Sequence, residues 1–164
     1  MKQGNRETKK LLKRATEIAL QSGCLRSKRG AVFVKNGKII IIAFNTPLPN
    51  NDFCSKIGCL RDKLKLGLGK ELEKCRAIHA EAKAIAEAAK SGLSLKNTAA
   101  YLTCMPCINC AKLLIGAGIK KVYYIDNYGD TTSLTLLEKM GIKCQRVKPK
   151  NDKSEERLRD KTYQ

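Results

Sequence analysis

One histidine, two cysteines and a glutamate constrain this chain more than any other feature. His79, the only histidine among the 164 residues, opens the triplet His79-Ala80-Glu81, and Pro106-Cys107-Ile108-Asn109-Cys110 answers it further along. An imidazole and two thiolates make three protein ligands for a tetrahedral Zn²⁺; a three-ligand set leaves the fourth position to water, which marks a catalytic rather than a closed structural site. A neutral imidazole and two thiolates offset the two charges of the ion, so bound water can ionise near neutral pH. Glu81 is placed to handle protons without binding the metal. Cys107 and Cys110, at i and i+3, share one face of a helix, and Pro106 suits its start. The positive end of that helix favours both thiolates. A lone C-x-x-C also serves redox motifs and zinc ribbons, and a lone histidine is often a core residue. The combination favours the metal reading, because this histidine heads an alanine-rich helix beside a glutamate.

The length fits one domain with a real core. We expect it over residues 1–148, followed by a charged, apolar-poor tail over 149–164 that is frayed or weakly helical. No apolar run is long enough to span a bilayer, and the N-terminal residues lack a signal-peptide core, so no membrane partner is expected. Eight cysteines without a secretion signal point to a reducing cytoplasm, where thiols bind metal rather than pair. The net charge of +18 attracts anions, whether nucleotides, nucleic acid or acidic surfaces, without saying which.

Glu7 to Ser22 has the spacing of an amphipathic helix, with Leu11, Leu12, Ala15, Ile18 and Ala19 on its buried stripe and Lys9, Lys10, Lys13 and Arg14 outside. Gly30 opens a strand through Val34, Asn36-Gly37 signals a hairpin turn, and Ile39 to Ile42 returns as the partner. These continuous apolar runs predict burial on both faces of the sheet. Phe44 to Lys74 is the least regular stretch, and a loop this long in a compact domain is usually functional or metal-stapled. Cys24 precedes it, and Cys54, Cys59 and Cys75 lie in or just after it. Four thiols could form a second, structural zinc site, with separate reduced thiols as the alternative. Helices follow at 79–90, with Ala82, Ile85, Ala86 and Ala89 inward, at 107–117 and at 132–140; strands follow at 98–103, 121–125 and about 144–147. The order predicts a three-layer α/β/α domain around a mixed five-stranded sheet. No glycine-rich phosphate loop of Walker or Rossmann spacing is present.

Taken together, these segments resemble the zinc-dependent cytidine and deoxycytidylate deaminase superfamily, most closely the deoxycytidylate (dCMP) deaminases, over about residues 6–148. The H-x-E…P-C-x-x-C pattern is the signature of zinc nucleobase deaminases. Arg26-Ser27-Lys28-Arg29-Gly30-Ala31-Val32 resembles the family's entry to its first strand, and Phe44-Asn45-Thr46-Pro47 its Y-N-G-x-P segment. Cys75 to Ala82 is similar to its first zinc motif, and Pro106 to Leu113 with Ala117 to Val122 is the nearest match. Asp126-Asn127-Tyr128 resembles a short acidic-aromatic loop. The resemblance implies a cytidine deaminase-like fold, zinc held by His79, Cys107 and Cys110, and Glu81 as proton shuttle. It further implies Asn45 on the sugar, Arg26, Ser27 and Lys28 on the phosphate, the Ala80 N–H on the pyrimidine carbonyl, and Tyr128 flanking the nucleotide. A homo-oligomer is implied as well, with a second zinc in some members. Two positions depart from the pattern. Thr46 stands where glycine is common, so a different loop shape is expected there and triphosphate regulation is not carried over. Arg29 stands where a small apolar residue is usual.

The implied reaction is hydrolysis of dCMP to dUMP and ammonia in pyrimidine nucleotide metabolism, with Glu81 moving protons to ring N3 and then to the leaving amino group. An alternative is deamination of cytosine or adenine within RNA or single-stranded DNA, which uses the same chemistry and which the positive charge favours. Few aromatics are available to stack splayed bases, and the segments around Arg26 and Asn45 suit a free nucleotide, so the mononucleotide is preferred. A catalytically inert zinc module is the third reading; the intact set of four chemical residues opposes it.

Overall fold

The apolar run Ala31-Val32-Phe33-Val34 becomes strand β1 (Gly30–Lys35), which is buried on both faces. In the computed structural model, which describes residues 2–67, 70–127 and 131–148, β1 lies near the middle of a five-stranded sheet. Asn36 and Gly37 both take positive φ, 50° and 74°, the conformation of a two-residue hairpin that joins β1 to antiparallel β2 (Lys38–Phe44). On its other side β1 pairs antiparallel with β5 (Ala99–Cys104). Parallel partners β6 (Lys121–Asp126) and β7 (Lys143–Arg146) complete the order β2-β1-β5-β6-β7. The mixed five-stranded sheet is the one expected. The tail from 149 and Tyr128 lie outside the described residues.

The two-residue period of the strands sorts side chains between two cores. Ala31, Phe33, Leu102 and Val122 join one cluster with buried residues of helices α4 (Ala80–Lys90), α5 (Ile108–Gly116) and α6 (Thr132–Lys139). Val32, Val34 and Tyr101 join the other, closed by Leu11, Leu12 and Ala15 of α1 (Lys2–Ala19). Tyr101 stacks on Tyr123 of β6 with centroids 4.8 Å apart. The layers are thus α1, the sheet, and α4-α5-α6. Gly30 permits the α1 contact, since a side chain there would meet the Ala15 carbonyl oxygen at 2.0 Å.

Four details differ from the expectation. Strand β2 is a sheet edge: Ile39 is exposed and Ile40, Ile41 and Ile42 only half-buried, because an edge strand lacks a neighbour on one side. The irregular stretch contains β3 (Thr46–Pro47), paired with β4 (Ala77–Ile78), the short helices α2 (Phe53–Ile57) and α3 (Leu60–Lys63), and a 3-10 turn at Leu72–Lys74. Helix α4 buries Ala80, Glu81, Ala84 and Ala88 and leaves Ala86 and Ala89 exposed. Alanine has too little side chain for its spacing alone to fix the phase of the stripe. Finally, Pro106 precedes the helix rather than opening it, because Cys107 is the N-cap of α5 in extended backbone.

Candidate active site

Two helix starts meet at the chemistry. His79 is the N-cap of α4 and Cys107 that of α5, and neither side chain caps its own helix. Both side chains are therefore free to face each other across the junction. The Cys107 and Cys110 sulfurs each lie 3.5 Å from His79 Nδ1. A tetrahedral zinc with bonds of about 2.1 Å to nitrogen and 2.3 Å to sulfur would hold such atoms about 3.6 Å apart. The three ligand atoms lie within 4.8 Å of one another, and among the described residues this is the one set of three or more His, Cys, Asp and Glu at metal-binding distance. The donors fit the ion.

Electrostatics agree with that fit. Hydrogen bonding from the Cys110 thiol, and then from His79, pulls Cys107 down to about 4. Beside that thiolate, and buried, Cys110 is pushed up. His79 is raised chiefly by its hydrogen bond to Cys107, against the opposing effect of burial. Helix N-termini add partial positive charge on the same side. Glu81, in the first turn of α4, is buried and its carboxyl raised by loss of water, partly offset by His79. Loss of water makes such a carboxyl a stronger proton acceptor than an exposed one.

A pocket opens beside these groups, lined by Arg26, Ser27, Asn45 and Ala80 as well as His79 and Glu81. Ala80 lies in the first turn of α4, where backbone N–H groups have no acceptor within the helix. Lys28 is not part of this lining; its ammonium donates to the Leu20 carbonyl at 3.1 Å. Asn45 is buried and already engaged: Oδ1 accepts from the Arg29 N–H at 2.7 Å and Nδ2 donates to the Ser27 carbonyl at 2.8 Å. It therefore fixes the loop that forms the pocket wall, with one N–H of its amide left over. Asn45→Ala should leave two backbone groups without their partner and cost about 2–4 kcal/mol by denaturant unfolding. A cost under about 0.5 kcal/mol would show that the loop does not depend on it.

Both departures from the family pattern acquire a physical reason. Thr46 keeps an ordinary backbone in β3; its hydroxyl donates to the Phe44 carbonyl and accepts from Lys83 Nζ at 2.8 Å. The same ammonium lies 4.2 Å from the Phe44 ring centroid. Lys83, on α4, thus fastens the segment carrying Asn45 to the helix carrying Glu81. Arg29 pairs with Asp126 at 3.0 Å, joining the β1 entry to the end of β6. Residues far apart in sequence make both contacts, so neither had a local signal.

Cys24, Cys54, Cys59 and Cys75 all line the pocket, and burial raises the thiols of Cys54 and Cys75. Cys54 and Cys75 each feel the charge of Cys24 and Cys59, but the four do not reach the close spacing of the His79 group. Sequence reasoning missed Arg61 and Arg76, which also line the pocket.

The model of the cytidine and deoxycytidylate deaminase zinc-binding region matches residues 5–126. The chain belongs to that family. Among similar proteins of the deaminase family, deoxycytidylate deaminase of Schizosaccharomyces pombe is 30% identical over 84% of this chain and 43% of its own length. The chain thus spans less than half of that relative. Deoxycytidylate deaminase of Enterobacteria phage T4 is 30% identical over 82% of this chain and 86% of its own. A crystal structure of dCMP deaminase from cyanophage S-TIM5, in complex with dCMP and dUMP, is 30% identical and superposes with a TM-score of 0.67, covering 83% of this chain and 93% of that one. Both the deaminase fold and the zinc-binding character of the region follow. No helix among the described residues is long and apolar enough to cross a membrane.

Proposed function

We propose that this chain is a zinc-dependent hydrolase that converts dCMP and water to dUMP and ammonia. The observation that carries the reading is the closure of His79, Cys107 and Cys110 around one point with Glu81 buried beside them. The phage relative and the dCMP-bound structural neighbour, both at 30% identity, favour the mononucleotide.

When bound, zinc supplies a water acidic enough to attack at neutral pH. Glu81 accepts that water's first proton and gives it to ring N3; it then takes the second proton from the hydroxyl added at C4 and gives it to the amino group, which leaves as ammonia. Its burial keeps the proton exchange away from bulk solvent. The Ala80 N–H hydrogen-bonds the pyrimidine carbonyl and fixes the ring orientation. The spare N–H of Asn45 reaches the sugar, while Arg26 and Ser27 face the phosphate. Lys28 and Tyr128 complete the earlier set, Lys28 from outside the pocket lining and Tyr128 from outside the described residues.

A second zinc, held by Cys24, Cys54, Cys59 and Cys75, is part of the proposal; their presence in the lining of one pocket supports it. So is a homo-oligomer, supported by the half-exposed isoleucines of the β2 edge. Residues 1–148 would form the deaminase domain and 149–164 an appended tail, in a cytoplasmic protein.

Ammonia release from dCMP, deoxycytidine and a cytosine-containing single strand tests the substrate. Turnover should be largest on dCMP. Turnover confined to the strand would overturn the mononucleotide reading and make the basic surface the substrate track, with activity falling steeply as salt is added.

A further inference from the structure

The chemistry above leaves most of the net charge of +18 unused, and strand register gathers part of it at one end of the sheet. Lys35 lies opposite Lys38 across the β1–β2 hairpin, Val34 opposite Ala99 of β5, Ala99 opposite Lys121 of β6, and Lys121 opposite Lys143 of β7. With about 4.8 Å between strands, this row runs about 19 Å from one edge of the sheet to the other. Lys96 and Lys120 belong to the same end. The Asn97 N–H donates to the Gly118 carbonyl and the Lys120 N–H to the Thr98 carbonyl, both at 2.9 Å, which ties their two connections together. The candidate active site lies at the opposite end, where β5 and β6 finish at Cys104 and Asp126. Five residues of extended chain, about 17 Å, separate the two ends of β6.

The four short segments at this end, 35–38, 94–99, 118–121 and 141–143, hold six lysines and no Asp or Glu. All six are exposed except the half-buried Lys35, whose ammonium donates to the Ser94 carbonyl at 3.2 Å. Among the described residues no ion pair reaches any of them. Lysine opposite lysine across a strand pair is destabilising, and it occurs here twice. Lysines on edge strands keep sheets from pairing edge to edge, which accounts for Lys38 on β2 and Lys143 on β7. It does not account for Lys121 on the inner strand β6, nor for Lys96 and Lys120 in the connections. The apolar Leu95, Ile119 and Ile142 of these segments are buried, so their exposed residues are lysine, asparagine, serine and glycine alone.

We infer that this lysine row is a docking surface for double-stranded nucleic acid, held by its phosphate backbone without regard to sequence. A duplex carries one charge for about each 1.7 Å of its axis, so the row faces a dense line of phosphates. Ammonium groups serve phosphate as point charges, and amide and hydroxyl side chains contact it as well. Single strands are held by stacking on aromatic rings, and these segments contain no Phe, Tyr or Trp. Lying at the end of the sheet away from the chemistry, the row is an anchor and not a substrate track. The inference is independent of the reaction proposed above.

The test is fluorescence anisotropy of the full chain with a labelled DNA duplex of about 30 base pairs and arbitrary sequence, at about 50 to 200 mM salt. Each lysine that meets a phosphate adds about 1 to the slope of log affinity against log salt. Replacing four of the row together (Lys96→Gln, Lys120→Gln, Lys121→Gln and Lys143→Gln) should therefore make the slope shallower by about 3 to 4. A second variant loses the same charge elsewhere, through Lys13→Gln, Arg14→Gln, Lys56→Gln and Lys112→Gln. It should keep the wild-type slope to within about 1. All eight side chains are exposed, so both variants should melt like the wild type. An equal loss in the two variants would reduce the binding to net charge and overturn the inference. A wild type that does not bind the duplex at the lowest salt would overturn it too. Ile39, Leu93 and Met140 are exposed beside these segments, so vesicles of phosphatidylserine and phosphatidylcholine form a third arm. A wild type that sediments with the vesicles but leaves the duplex free would assign the surface to anionic lipid and refute the nucleic-acid inference.

Discussion

Glu81→Gln should keep its zinc and lose about 10³- to 10⁴-fold in kcat on dCMP, the scale on which a positioned general acid and base contributes. The substitution keeps the shape and most of the polarity of a side chain buried in the first turn of α4. It removes the group's ability to take a proton and return it, and the reaction needs that twice. His79, Cys107 and Cys110 retain their mutual spacing, since none depends on Glu81 for its backbone position. Metal content by elemental analysis should therefore match the wild type, and KM for dCMP should change by less than about tenfold. The contrast between retained metal and lost turnover is the informative part. A variant that keeps its zinc and also keeps a tenth or more of its rate would remove Glu81 from the proton pathway. The raised carboxyl gives a reason for the size of the effect. Burial brings the proton affinity of Glu81 closer to working pH, where one group can act alternately as acid and base.

The candidate metal cluster was legible in the sequence because its chemistry is tied to short spacings. His79 and Glu81 lie two residues apart, and Cys107 and Cys110 three, so each pair shares a helix start whatever the rest of the chain does. The sheet was legible for a similar reason: β1 and β5 are apolar at every position that two cores demand. What the sequence concealed lies between distant segments. Arg61 reads as one of many basic residues, and only α3 folding against the loop that carries Arg26 turns it into a buried cation. Lys28 and Arg29 are neighbours with the same charge, yet one turns to the Leu20 carbonyl and the other to Asp126. Asn45 was read as a sugar ligand; its amide is first of all a clasp for the Ser27–Arg29 backbone. In α4, repeated alanines left the phase of the helix open, and the buried face runs through Ala84 and Ala88 rather than Ala86 and Ala89. Motifs specify which atoms react, and tertiary contacts specify what those atoms meet.

Cys110→Ala is the second large effect, and it separates metal binding from thiol packing. Cys110 is 2% exposed in the first turn of α5, with its sulfur 3.5 Å from His79 Nδ1. Losing it leaves two protein ligands where the proposal needs three. Perturbing only the groups behind a ligand already costs about 10- to 100-fold in metal affinity, so removing the ligand should cost at least 100-fold. With free zinc at about a thousand times the wild-type Kd, binding stabilises the fold by about 4 kcal/mol; a 100-fold weaker site leaves about 1.4 kcal/mol. The zinc-dependent part of the melting temperature should shrink in proportion, and turnover should vanish with the metal. Cys144→Ala is the control: that half-buried thiol on β7 lies outside the ligand set and outside the pocket lining, so zinc content and turnover should persist. Cys75→Ala probes the other thiols of the pocket. If Cys24, Cys54, Cys59 and Cys75 hold a second ion, the wild type carries two zincs per chain, and Cys75→Ala loses one while the Cys110 variant keeps it. A wild type with one zinc, lost in Cys110→Ala and retained in Cys75→Ala, would assign all the metal chemistry to the His79 centre. Retention of full zinc affinity in Cys110→Ala would instead refute the three-ligand site itself.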